Sequence, residues 1–128
     1  AAWTEDQLRA ARWIRSNTDP QELVATNVTL SPFVAAAAHR STFVSGIQYQ
    51  YDYGLVQDRP DLIEREMQTR DFLNGPTAQS VDDLCGSGAG WLWVDLSRVD
   101  RTSWEPYAAT RLLTADTAVL EIDRNTYC

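Results

Sequence analysis

The sequence predicts one α/β domain of three layers over residues 1–128, with a mostly parallel Rossmann-like sheet and a C-terminal antiparallel hairpin. Three observations predict it. A strand, a compact helix and a second strand follow one another between residues 22 and 45, the order of a right-handed parallel crossover. Two more helical stretches precede Trp91-Leu92-Trp93-Val94-Asp95, a run apolar on both faces, as a central strand requires. Finally, Thr110 to Thr114 and Ala118 to Asp123 flank Ala115-Asp116-Thr117, which reads as a hairpin. At 128 residues and 44% hydrophobic content the chain can bury a core of this kind.

Each element has its own signal. Thr4 and Gln7 make a capping box, with Trp3 and Leu8 placed for a hydrophobic staple, so a helix starts at Glu5. Leu8, Ala11 and Ile14 recur at helical spacing toward the core, and Asn17-Thr18-Asp19-Pro20 ends the run. Glu22 to Asn27 is a short apolar burst, the first strand. Ser31-Pro32 caps an Ala-rich helix over Phe33 to Ala38, and Ser41 to Ser45 is the second strand. Gln48 to Tyr53 alternates strictly, as an exposed strand or an ordered loop. Asp58-Arg59-Pro60 starts a helix that turns Leu62, Ile63, Met67, Phe72 and Leu73 inward and stops at Asn74-Gly75-Pro76. Thr77 caps a shorter helix carrying Val81 and Leu84, and Cys85 to Gly90 is a flexible lead into the central strand. A helical turn around Ser103 to Pro106 precedes the hairpin.

Charge and composition exclude several functions. With 18 acidic residues against 11 basic ones the net charge is −7, a field that repels phosphate backbones, so nucleic acid is not an expected partner. No stretch reaches the roughly 20 apolar residues of a membrane-spanning helix. Cys85-Gly86-Ser87-Gly88-Ala89-Gly90 contains G-x-G-x-G, but it follows a helix and precedes a strand, the reverse of a phosphate-cradling loop. A helix cap is the better reading. His39 is the only histidine and no cysteine pair has zinc spacing, so no metal or cofactor is expected. His39 suits the negative end of the Ala-rich helix, and no nucleophile elbow accompanies it.

One candidate surface remains. Ligands of open parallel sheets collect beyond the carboxyl ends of the strands, where Asn27, Ser45 and Asp95 each end a predicted strand. Gln48, Tyr49, Gln50, Tyr51, Asp52 and Tyr53 leave from the same edge, either packing on the body or presenting rings and hydroxyls to a sugar. Trp91 and Trp93 share one face of their strand and read as core. Trp104, in a polar loop beside Glu105 and Pro106, is the tryptophan expected to be exposed, to stack on a sugar ring or touch lipid or another domain.

The stretches TEDQLRAARWIRSNTDPQELVATN, HRSTFVSG, LNGPT with VDDL, GAGWLWVDLSR and TAVLEIDR together resemble the C-terminal soluble region of large multi-spanning actinobacterial membrane proteins. Those proteins are similar to glycosyltransferases that use polyprenyl-phosphate sugars. The absence of lysine among the basic residues fits a high-GC genome. The resemblance implies a soluble piece of a larger membrane protein, on the extracytoplasmic side of the cell membrane. Its catalytic acid would lie upstream, leaving this domain to pack on the transmembrane region of the same chain or to position a cell-wall polysaccharide. An oxidising location of that kind favours a disulfide between Cys85 and Cys128, the only two cysteines. The alternatives are an independent small-molecule-binding α/β domain and a small hydrolase.

Overall fold

A computed structural model of the protein describes residues 4–19, 22–28, 41–42 and 60–128. Helix α1, Glu5–Asn17, starts at the expected residue: Thr4 Oγ1 accepts from the Gln7 N–H and Gln7 Oε1 from the Thr4 N–H, both at 3.1 Å. These bonds satisfy donors that a helix start leaves orphaned. Ala10, Ala11 and Ile14 are buried, and Thr18 closes the helix by donating both N–H and Oγ1 to the Ile14 carbonyl. Strands β1 (Leu23–Thr26) and β2 (Ser41–Thr42) pair in parallel, as the crossover reading requires. Trp3 and the segments 29–40 and 43–59 lie outside the described residues, and with them the Ala-rich helix, His39, the rest of the second strand and Gln48 to Tyr53.

Helix α2, Pro60–Asn74, buries Thr69, Phe72 and Leu73; the side chains of Leu62 and Ile63 fall outside the described set. Met67, expected inward, is instead 55% exposed. It precedes Thr69 by two residues, about 200° around the helix, and so lies opposite the buried stripe. Helix α3, Ala78–Ser87, has a second capping box between Thr77 and Ser80 and buries Val81 and Leu84. Regular structure replaces the expected flexible lead. The helix runs through Cys85 to Ser87, Gly88 ends it at φ 90°, and β3 (Ala89–Asp95) begins at the next residue. A left-handed cap favours a residue without a Cβ, and Gly88 turns the chain into the sheet within one step.

Strands β4 (Ala108–Leu113) and β5 (Thr117–Ile122) form the predicted hairpin, with a register shift between Thr110 and Leu112. A four-residue helix, α4 (Arg124–Tyr127), follows, capped by Asp123. The sheet order is β2-β1-β3-β5-β4. Pairs β1–β2 and β1–β3 are parallel, whereas β3–β5 and β4–β5 are antiparallel. The sheet is therefore mixed rather than mostly parallel and Rossmann-like. The reason is that β5 takes the place beside the central strand that a further crossover strand would need.

Helices cover both faces. Ala25, Leu92, Val94, Ala118 and Leu120 pack under α2 and α3 with Phe72, Leu73, Val81, Leu84 and Trp104. On the reverse face Val24, Trp91, Trp93 and Val119 pack against Ala10, Ala11 and Ile14 of α1. The period-2 alternation of β3 thus feeds two separate cores, as its sequence predicts. Among the described residues no helix is long and apolar enough to cross a membrane.

Candidate functional site

Strand β1 lies between its two parallel partners, so the strand order reverses around it, and the crevice beyond the carboxyl ends of β1 and β3 is where such sheets place ligands. The structure brings Asn27 and Asp95 together there. Asn27 Oδ1 accepts from the Asp95 N–H at 2.6 Å and Nδ2 donates to the Asp95 carbonyl at 3.1 Å. A carboxamide carries one acceptor and one donor group in the spacing of a peptide unit. The side chain therefore adds one rung to the β1–β3 pairing after the strands have ended. Below it, Thr26 Oγ1 donates to the Trp93 carbonyl at 2.7 Å and accepts from the Val28 N–H at 3.0 Å.

The Asp95 carboxylate accepts from the Ser97 N–H and hydroxyl at 3.0 and 2.7 Å, starting the 3-10 turn Leu96–Arg98. Arg98 folds back, with Nη1 donating to the Asn27 carbonyl at 3.1 Å and Nε 3.7 Å from Asp95 Oδ2. Two of the three predicted strand-end residues, Asn27 and Asp95, are thus joined at this edge by their polar atoms, and Ser45 lies outside the described residues. Gln48, Tyr49, Gln50, Tyr51, Asp52 and Tyr53, expected at the same edge, lie outside the described residues.

Trp104 is not at this edge and is not exposed. It is 1% exposed in the core under α2 and α3, and its indole N–H donates to the Leu73 carbonyl at 3.1 Å. The polar neighbours Ser103 and Glu105 stay at the surface while the ring turns in to fill the layer between Leu73 and Ala108. Its hydrogen bond also occupies a carbonyl in the last turn of α2, which has no partner within the helix. Trp104 is therefore not the exposed ring that the sequence predicts.

The sequence reading missed a groove at the opposite end of the sheet. An open cavity of about 1220 Å³ lies where β1, β3 and β4 begin and β5 ends. Trp91 borders it, donating its indole N–H to Glu22 Oε2. Glu121, directly across from Trp91 in register, accepts from Arg111 Nε and Nη2, each at 2.9 Å. Glu105 enters from the turn before β4, and Arg124 and Asn125 from the start of α4. The Arg111–Glu121 pair was hidden because the irregularity between Thr110 and Leu112 displaces Arg111 from simple hairpin pairing. The cross-strand spacing of charges around Ala115-Asp116 is the signal that could have found it.

Cys85 and Cys128 are joined in a disulfide, with Cα atoms 5.6 Å apart. It ties α4 to the last turn of α3, beside Tyr107 and Tyr127, whose rings lie 4.8 Å apart. Among the described residues no three His, Cys, Asp or Glu side chains gather closely enough to hold a metal ion. No protein-family model matches the chain, and no curated protein sequence matches it.

Proposed function

We propose that the chain is a non-catalytic accessory domain on the extracytoplasmic side of a membrane glycosyltransferase-like protein, where it packs on the membrane half or positions a cell-wall glycan acceptor. The single observation that carries this reading is the Cys85–Cys128 disulfide, because such bonds persist outside the reducing cytoplasm. The sequence resemblance supplies the parent class. The mixed sheet supports the location of the glycan contact: the Asn27–Asp95 floor lies at the strand-order reversal, with Gln48 to Tyr53 as the segment that grips the acceptor.

Two measurements test it. A non-reducing peptide map of protein folded under oxidising conditions is expected to link the Cys85 and Cys128 peptides, and two free thiols would remove the extracytoplasmic assignment. An NMR titration with arabinan and mannan fragments is expected to move the amides of Asn27, Asp95 and Gln48 to Tyr53. If that edge stays silent, the tyrosines are packing and the domain is a buttress for the membrane half.

A further inference from the structure

We propose that the groove at the amino-terminal end of β1 and β3 is a second binding site, and that its ligand is a neutral saccharide. The inference shares the glycan reading above in ligand class only, since it concerns the other end of the sheet. Its chemistry can be read from which hydrogen-bonding capacity is already used. Glu22 accepts from the Trp91 indole and Glu121 from Arg111, so each carboxylate is held in place. A carboxylate has about four acceptor positions, and some stay available on each. Glu105 has no hydrogen-bond partner among the described residues, and neither does the Arg124 guanidinium, whose Nη1 lies with Cδ over Gly90. Asn125 adds a carboxamide to the groove wall, a group that both donates and accepts.

The ligand class follows by comparing charges and donors. Among the described lining residues, five carboxylates stand against two guanidinium groups, and Glu121 already engages one of those, so an anionic ligand is repelled. A cation is attracted by these carboxylates, but it uses acceptors alone and leaves the Arg124 and Asn125 donors without a partner. A neutral polyol uses both kinds of group, because each hydroxyl donates to a carboxylate and accepts from a guanidinium or amide. Part of the floor leaves room for a sugar ring: Gly88 has open space where a Cβ would stand, and the exposed Pro106 lines the same groove. The disulfide holds α4, and with it Arg124 and Asn125, against α3, so one wall of the groove is covalently anchored.

The test is an amide NMR titration of the 128-residue chain with mannotriose and arabinotriose, run beside spermidine and a galacturonate trimer. Either neutral sugar is expected to move Gly88, Gly90, Glu105, Arg124 and Asn125. Arg124→Gln and Glu105→Gln, both at exposed positions, are each expected to weaken binding about fivefold, while Arg70→Gln on the outer surface of α2 leaves it unchanged. Shifts confined to Asn27 and Asp95 would overturn this site and leave the carboxyl-edge reading standing. A response to spermidine or to the galacturonate alone, or to no probe, would overturn the inference outright. Binding at this groove with free thiols at Cys85 and Cys128 would keep the site and remove the extracytoplasmic reading.

Discussion

The two faces of the sheet bury tryptophan by different means. Under α2 and α3, Trp104 arrives from the connection before β4, is 1% exposed, and donates its indole N–H to the Leu73 carbonyl. Under α1, Trp93 projects from the central strand, is equally buried at 1%, and among the described residues its indole N–H has no partner. A side chain carried by a connection can be steered to an acceptor, whereas one on a strand needs an acceptor where the pleat points it, as Glu22 is for Trp91 and no described group is for Trp93. Burying an indole removes roughly 200 Å² from water, about 5 kcal/mol at 25 cal/mol per Å². An unmet N–H costs about 1–3 kcal/mol, so burial wins at Trp93. The first face is also cross-linked through Cys85 and Cys128, while among the described elements the second is covered by α1 and the Trp13–Trp91 ring contact at 5.7 Å.

Removing the covalent difference gives the largest expected effect. The Cys85→Ala, Cys128→Ala double variant opens a link spanning 43 residues, and the chain-entropy model puts the loss at about 4 kcal/mol. Urea denaturation measures it, and hydrogen exchange should show α4 losing protection before α1. A loss below about 1 kcal/mol would mean that the link adds little to the first face. Next in size is Trp104→Phe, which keeps most of the ring volume but leaves the Leu73 carbonyl without its donor. It is expected to cost about 1–3 kcal/mol by the same denaturation.

The same contrast explains what could be read in advance. The Thr4–Gln7 capping box, the Thr77 cap and the alternation of β3 are local signals, written within a few residues, and each was legible. Trp104 was not, because its neighbours are polar while its acceptor, Leu73, is 31 residues away. The Asn27 clamp spans 68 residues, so the sequence could place both ends at one edge without showing that they bond to each other. Met67 failed for a different reason: an apolar residue in a helix is assigned a face only after the phase of the buried stripe is known. The antiparallel sense of the β3–β5 pairing is also nonlocal, which is why the hairpin was legible and the mixed character of the sheet was not.

On the second face the anchoring of α1 begins with its cap. Thr4→Ala removes the acceptor for the Gln7 N–H and breaks the reciprocal box, with an expected loss of about 1 kcal/mol. Denaturation gives the total, and exchange of the first-turn amides shows whether the loss is local. An effect under a few tenths of a kcal/mol would assign the position of α1 to its packing on Val24, Trp93 and Val119 instead.

The smallest expected effect is Trp93→Phe, and it separates the two tryptophans most directly. At Trp104 the change removes a hydrogen bond; at Trp93 it removes a buried donor that has none. The lost indole volume still leaves a gap between α1 and the sheet, which destabilises, but deleting the unmet N–H returns part of that cost. The net loss is expected to fall below that of Trp104→Phe by about 1 kcal/mol or more. Both variants have the same chemical change at sites of equal exposure, so the difference between their denaturation midpoints reports the lost hydrogen bond together with the removed unmet donor. Equal losses would show that a met and an unmet indole N–H cost the same to remove, and that the two faces differ in geometry without differing in energy.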